Sequence, residues 1–342
     1  MRRGETAVSG SAALSRTANL WYNSSMPEDV QWIEDAPSGL QAVLVIDMLV
    51  AGRSFGGIRL GSYAHEMEAL ADAKKLARAM SLKCAFAGID GGGAKTVVWG
   101  WRDRGAAMRA LGRHIQGLAG RYLAGADMGF TDDDAAAVKA ETKHLACCDV
   151  SDATGRSVVD ALDAASEKAG VPLKSVAVQG AGAVGWAVVR RLRERGIAVV
   201  VGEPDPPRAE RARQAGCEVV FPDAIYQQAA DAFSPCARGG VLSDRAAVRL
   251  KCRIVCGGAN NPLVNDAVAK VLHDRGILYV PDFVANAGAL IQGSAGVMGH
   301  DPEPLLAALP GRVRELLDLA RAENKPPLDV AVRIAEERLR RA

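Results

Sequence analysis

The sequence predicts two consecutive α/β domains, the second of them a Rossmann unit. Three observations predict this. Residues 174–203 read in unbroken order as strand, glycine turn, amphipathic helix and second strand. On both sides of that stretch, short β-rich segments alternate with helix-patterned ones, as they do when crossover helices connect parallel strands. A length of 342 residues suits about two domains.

The second domain has the clearer motif. SVAVQGAGAVGWAVVRRLRERG places an apolar strand, Val176 to Val178, before Gly180, Gly182 and Gly185. Glycines at this spacing permit the turn and let a pyrophosphate approach the backbone. Ala183 and Val184 complete the loop, and the helix that follows offers N–H donors to phosphate. The next strand, IAVVVGE, ends at Glu203, placed to accept hydrogen bonds from the adenosine ribose hydroxyls. A carboxylate there disfavours a 2′-phosphate, so the predicted cofactor is NAD rather than NADP. CEVVF, DAFSPCA, CRIVCGG and ILYVPDF read as further short strands. GGANNPL and DFVANAGAL follow strand ends, where open parallel sheets bind ligands.

In the first domain, residues 1 to about 37 read as polar and irregular, with an edge strand around Leu20 to Tyr22. Leu40 to Asp47 reads as a buried strand. The pair Gly56-Gly57 marks a bend or a close backbone approach. His65 to Lys83 has apolar residues at helical spacing. The stretch KCAFAGIDGGGAK, Lys83 to Lys95, reads as a glycine turn between two lysines. Burial lowers an ammonium pKa, so one lysine suits a general base and the other a carboxylate anchor; surface lysines beside a turn are the plain alternative. A strand from Lys95 to Trp101 and a helix from Met108 to Tyr122 follow, with Asp127 in the loop after that helix. Asp132, Asp133 and Asp134 fit a helix N-terminus better than a metal site. The domain boundary falls near 145–156, before a helix over Ser157 to Ala169. The tail from Leu305 is helical, with breaks at Pro310 and Pro326-Pro327.

The composition excludes several classes. A net charge of +2 gives no field that would favour nucleic acid or an anionic membrane. No run of about 18 apolar residues is present, and the basic N-terminus lacks the apolar core of a secretory signal. Cys84, Cys147, Cys148, Cys217, Cys236, Cys252 and Cys256 form no CxxC pair. They read as reduced, mostly buried thiols of a cytoplasmic protein, with no metal site.

Taken in order, LKCAFAGIDGGGAK, GRYLAGADMG, VQGAGAVG, SPCARGG, GGANN, PDFVANAGAL and AEERLRR resemble the glutamate, leucine, phenylalanine and valine dehydrogenase superfamily from about Gly39 to the C-terminus. Leucine and phenylalanine dehydrogenases are the most similar in length and wording. The resemblance implies a substrate-binding and oligomerisation domain over 1–150, a Rossmann domain over 151–304, a cleft between them, and helices over 305–342 packing back on the first domain. It implies reversible oxidative deamination: an L-amino acid gives hydride to NAD, and water releases a 2-oxo acid and ammonia. Lys95 would activate the water and Asp127 would handle protons at the amino group. Lys83 would hold the substrate carboxylate beside the Gly56-Gly57 backbone. Ala237, Asn260 and Asn286 would lie along the ribose and nicotinamide, with Thr154 at the position of a cofactor-contacting threonine. A homo-oligomer, a dimer or larger, is expected.

The resemblance also implies a side-chain pocket at Gly125, Leu290 and Gly293, with Phe55 near its entrance. Glycine at 125 makes room, and glycine with leucine at these places is similar to phenylalanine dehydrogenases, so a larger, aromatic substrate is expected. Two departures stand out. Trp101-Arg102 replaces the usual acidic or small residue and proline. The segment 143–154, KHLACCDVSDAT, is about nine residues shorter than in the leucine and phenylalanine enzymes by hand alignment. Two other readings keep the fold: an enzyme for an unusual amino acid or imine, and a non-catalytic NAD-binding homologue.

Overall fold

Alternation along the chain produces the first of two sheets. The computed structural model describes residues 29–146 and 149–342; the strand expected around Leu20 and the Cys147-Cys148 pair lie outside them. The first half runs β1 (Asp29–Asp35), β2 (Leu40–Ile46), β3 (Ser54–Leu60), α1 (Glu66–Ala87), β4 (Gly92–Gly100), α2 (Arg104–Gly117), β5 (Tyr122–Ala126) and α3 (Asp132–Lys139). The strand order is β1-β2-β4-β3-β5. β2 is antiparallel to β1 and β4, and β3 is parallel to β4 and β5. Period two sorts β2 onto two faces. Val43 and Val45 pack with Ala69, Ala73 and Ala77 of α1. Ala42, Leu44 and Ile46 join Met108, Leu111 and Ile115 of α2 on the other side.

The second half opens with α4 (Ser151–Ala169) and then alternates as β6 (Ser175–Gln179), α5 (Ala183–Glu194), β7 (Ala198–Gly202), α6 (Pro206–Gln214) and β8 (Glu218–Val220). After a 3-10 turn come β9 (Ala232–Pro235), α7 (Asp244–Ala247), β10 (Ile254–Val255), α8 (Ala267–Asp274) and β11 (Leu278–Tyr279). The chain finishes with α9 (Asp282–Ala285), α10 (Gly288–Met298), α11 (Glu303–Glu323) and α12 (Pro327–Leu339). The strand order is β11-β10-β9-β6-β7-β8, with every pair parallel. This is the doubly wound Rossmann order, which reverses direction at β6.

Several expectations need correction. The glycine segment is not a single turn. Gly88, at φ 73°, caps α1, while Gly92 and Gly93 already belong to β4. A Cβ on Gly93 would lie 2.1 Å from Ser81 N and 2.2 Å from Ala77 O. Gly93 therefore lets α1 rest directly on the strand's backbone, while a Cβ on Gly92 would meet Met48 O at 1.9 Å. Of the two expectations for Gly56, the close backbone approach holds: a Cβ there would lie 1.7 Å from Ala94 O of the neighbouring strand. The helix expected to reach Tyr122 ends at Gly117. Left-handed Ala119 and Gly120 turn the chain, so Asp127 follows a strand rather than a helix. Pro310 does not break α11. Its apolar stripe, including Leu306, Leu309, Val313 and Leu316, stays buried and outweighs the lost backbone bond.

The tail touches both halves: α11 lies on α4 and α12 lies on α1. Arg312 and Arg338 donate to Phe86 O at 3.2 and 2.9 Å. They satisfy carbonyls at the C-terminus of α1, where cations are favoured. Arg78 bridges Glu336 at 2.8 Å and Asp47 at 3.7 Å. Trp101-Arg102 lies at the rim of the first sheet, where Arg102 N donates to Ser38 O at 2.8 Å. No helix among the described residues is long and apolar enough to cross a membrane. Cys84, Cys217, Cys236, Cys252 and Cys256 are buried free thiols.

Candidate active site

β3 pairs in parallel with both β4 and β5, and these three neighbouring strands build one wall of a cleft. Gly56 and Gly57 come from β3, Lys95 from β4, and Gly125 from β5 with Asp127 just beyond it. The cleft contains Phe55, Gly56, Gly57, Lys83, Lys95, Gly125, Asp127, Asn260, Leu290 and Gly293. Helix α1 adds Leu76, Ala79, Met80 and Lys83, at the i, i+3, i+4, i+7 spacing of one helix face. The Rossmann half supplies Asn260 from the loop after β10, and Leu290 and Gly293 from α10.

Lys95 and Asp127 are in contact, with Nζ 2.5 Å from Oδ2. Lys95 is only 5% exposed. Burial holds its ammonium below the usual lysine range, although the Asp127 carboxylate pulls the other way. Burial would raise the Asp127 carboxyl, but Lys95 and Arg59 outweigh it and hold it below the usual range. Lys83 lies within one turn of the end of α1, and its Nζ donates to Asn260 Oδ1 at 3.2 Å. Burial lowers its pKa, opposed by Asp282 and reinforced by Lys95. Asp282 is itself raised by burial, against the Asn261 N–H and the Lys83 charge.

Apolar side chains make up much of the rest of the lining, alongside Arg59, Asn260, Asn261 and Asp282. Phe55 is 3% exposed and covers Gly91, whose Cβ would lie 2.2 Å from the ring. It is a buried wall rather than an entrance residue, because alternation along β3 turns it inward. Nothing within 4 Å would meet a Cβ on Gly125. A Cβ on Gly293 would meet only Ala146 Cβ at 3.9 Å and Val150 Cγ1 at 4.0 Å. The short 143–154 segment contributes directly to the pocket. Ala146 N bonds Ala124 O at 2.8 Å, extending the sheet beyond β5, and both Ala146 and Val150 line the cleft.

The predicted cofactor residues lie beside this cleft, at the C-terminal ends of β6, β7, β9 and β10. Gly180 is left-handed, and a Cβ on it would lie 2.9 Å from Ala237. A Cβ on Gly185 would lie 2.0 Å from Gly180 O, so α5 approaches the loop closely. Gly182 N-caps α5, followed by Ala183 and Val184. Around Gly182 only Arg208 comes within 4 Å of such a Cβ, which leaves the helix N-terminus open to an anion. Glu203 accepts from Ala181 N at 2.6 Å and Asp205 N at 3.0 Å. Asn286 donates to Gly258 O and Asn260 Oδ1, while its buried Oδ1 has no protein partner. That orphan acceptor and the glycine cradle fit a bound dinucleotide. Thr154 donates to Val150 O at 2.6 Å inside α4.

Arg59 and Asp282 escaped the sequence reading, as did the α1 wall. Their signals were present: Arg59 is two residues beyond Gly57 on a strand, and the α1 wall follows helical spacing. Asp282 gives no such signal, because only folding brings the end of β11 to Lys83.

Known proteins share this arrangement. The profile described as the Glu/Leu/Phe/Val dehydrogenase dimerisation domain matches residues 29–144. The profile described as Glutamate/Leucine/Phenylalanine/Valine dehydrogenase matches 209–298. Leucine dehydrogenase of Thermoactinomyces intermedius is 37% identical over 333 residues, covering 91% of this chain and 90% of that protein. Phenylalanine dehydrogenase of Caldalkalibacillus thermarum is 35% identical over 338 residues, covering 92% and 91%. The crystal structure of L-tryptophan dehydrogenase from Nostoc punctiforme superposes with a TM-score of 0.82 at 33% identity, covering 92% of this chain and 96% of that one. Two sheets in this order, with their cleft and these relatives, establish that the chain belongs to the glutamate/leucine/phenylalanine/valine dehydrogenase family and is an amino acid dehydrogenase.

Proposed function

We propose that the chain is an NAD-dependent L-amino acid dehydrogenase for an apolar, aromatic substrate. One observation carries this: Lys83, Lys95 and Asp127 share one cleft that also has apolar lining residues, Phe55, Leu76, Met80 and Leu290 among them, and is open at two glycines. The Lys83 ammonium binds the substrate carboxylate beside the Gly57 backbone. Asp127 takes and returns protons at the amino group, and its carboxylate form offsets the charge of the neighbouring lysines. NAD, when bound, would supply the acceptor for the hydride that leaves the α-carbon. Lys95, lowered by burial, removes the proton from the water that adds to the resulting imine, and ammonia then departs to leave the 2-oxo acid. The glycine loop and the N-terminus of α5 hold the pyrophosphate, Ala237, Asn260 and Asn286 face the ribose and nicotinamide, and Thr154 sits behind them.

Glu203 supports NAD over NADP, since a carboxylate at the end of β7 repels a 2′-phosphate. The open space at Gly125 and Gly293, beside Leu290 and Phe55, supports a bulky side chain. The chain assembles as a homo-oligomer through the first sheet, a reading supported by the dimerisation description of the profile matching that domain.

The test is NADH formation at alkaline pH with L-tryptophan, L-phenylalanine, L-leucine and L-valine, for the wild type and Lys95→Ala. The expected result is preference for the aromatic substrates. Lys95→Ala should lose about 100- to 10,000-fold in kcat, with NADH binding unchanged by fluorescence titration. Unchanged turnover in Lys95→Ala would overturn the role of Lys95. NAD binding without turnover of any substrate would favour a non-catalytic homologue.

A further inference from the structure

A line of charge runs from the cleft into the first domain. Arg59 lies two residues beyond Gly57 on β3, so both face the same side of the sheet. Its Nε donates to Asp127 Oδ2 at 2.9 Å. Lys95 Nζ lies 2.5 Å from that same oxygen. On the far side, Arg59 Nη1 donates to Asp72 Oδ2 at 3.2 Å, and the Tyr63 hydroxyl donates to the same Asp72 oxygen at 2.7 Å. The Arg59 and Asp127 side chains are 18% and 19% exposed, so water screens this line only partly.

The arrangement places two cations on one carboxylate oxygen. A buried lysine held by a lone carboxylate at this distance would keep its proton, and a base must give it up. A second cation on the same oxygen divides the attraction and adds its own repulsion. Burial would lower the guanidinium, but Asp127 and Asp72 raise it, so Arg59 keeps its charge throughout the working range. The other charges near Lys95 are Asp127, Asp72 and Lys83, the last with Asp282 behind it.

We propose that Arg59 is a positioning residue of the reaction: it competes with Lys95 for Asp127 Oδ2 and so sets the pH at which Lys95 is free to accept a proton, with Asp72 and Tyr63 tuning it from behind. This rests on the role given to Lys95 above.

The experiment is the pH profile of kcat/KM for amino acid oxidation at saturating NAD, which reports groups of the NAD-bound enzyme before the amino acid binds. In Arg59→Gln the Asp127 carboxylate is left to Lys95 alone, and the rising limb should move to higher pH by about one unit. Arg59→Lys keeps the charge and should restore most of the wild-type midpoint. Asp72→Asn removes an anion near Lys95, and its rising limb should move to lower pH. A purely structural role gives no such pair of opposite shifts. An unmoved or lowered midpoint in Arg59→Gln, or shifts of the same sign in both neutral variants, would overturn the proposal. If Arg59→Gln yields no folded protein, Asp72→Asn decides: a downward shift supports the proposal, and no shift or an upward one overturns it. If the Lys95→Ala variant is inactive but the separate Arg59→Gln variant keeps the wild-type midpoint, only the Arg59 role is defeated. A wild type that turns over no substrate would defeat both.

Discussion

Gly293 separates folding from substrate choice in one substitution. It lies inside α10 and on the cleft wall. A methyl group there would lie 3.9 Å from Ala146 Cβ and 4.0 Å from Val150 Cγ1, which is ordinary contact with no clash. Replacing glycine by alanine within a helix gains about 0.8–1.0 kcal/mol. Gly293→Ala should therefore melt higher, by about 2 °C for a chain of this size. On the proposed reading, the same methyl takes space meant for the substrate side chain. One methylene in an apolar pocket is worth about 1–3 kcal/mol, or about 10- to 200-fold. We expect kcat/KM for L-tryptophan to fall by that much relative to L-valine. Thermal unfolding without ligand, followed by circular dichroism, measures the first effect, and initial rates of NADH formation measure the second. A lower melting temperature would refute the packing argument. Equal losses on tryptophan and valine would refute the placement of the substrate side chain.

Two further predictions concern the scaffold. Gly93→Ala places a methyl 2.1 Å from Ser81 N and 2.2 Å from Ala77 O, backbone atoms that cannot step aside. It should cost about 3 kcal/mol through overpacking, and a wild-type urea midpoint would refute that. Asp134 closes the capping box of α3 with Thr131 and pairs with Arg104 at 2.6 Å. Burial would raise its carboxyl, but Arg104 and Thr131 hold it below its ordinary 3.8. Its stabilisation is therefore complete above that value and is lost as pH falls through the lower, folded value. Asp134→Asn should cost about 1–2 kcal/mol at neutral pH, and its deficit against the wild type should shrink in acid. A deficit that grows as the pH falls would contradict the sign.

Much of the fold is legible locally. The GxGxxG turn, the strands flanking it and Glu203 fall within one βαβ unit, where spacing alone dictates the geometry. The three aspartates at the start of α3 are equally local. The glycines between Lys83 and Lys95 were misread for the opposite reason. Four glycines in a short stretch look like a turn, and only the packed structure shows Gly93 bringing a helix onto a strand and Gly92 admitting the backbone of Met48. Asp127 lies in a loop as its sequence context suggests, but the element before it is strand β5 and not the helix, because the left-handed pair Ala119 and Gly120 divides a helix and a strand that merge in sequence. Pro310 marks a break by local rules, but burial of the α11 stripe overrides it.

By itself, then, the sequence determined the Rossmann order, the acidic end of β7, and which residue types could hold a carboxylate, move a proton and leave room for a side chain. Tertiary structure alone decided that Lys95 and Arg59 meet on one oxygen of Asp127, that Asp282 stands behind Lys83, and that Ala146 and Val150 close the pocket. The physical reason is range. Turn geometry and helix periodicity act over a few residues, so neighbouring letters encode them. Charge pairing and steric closure act through space, between elements that only the packing of two sheets and the returning α11 and α12 brings together.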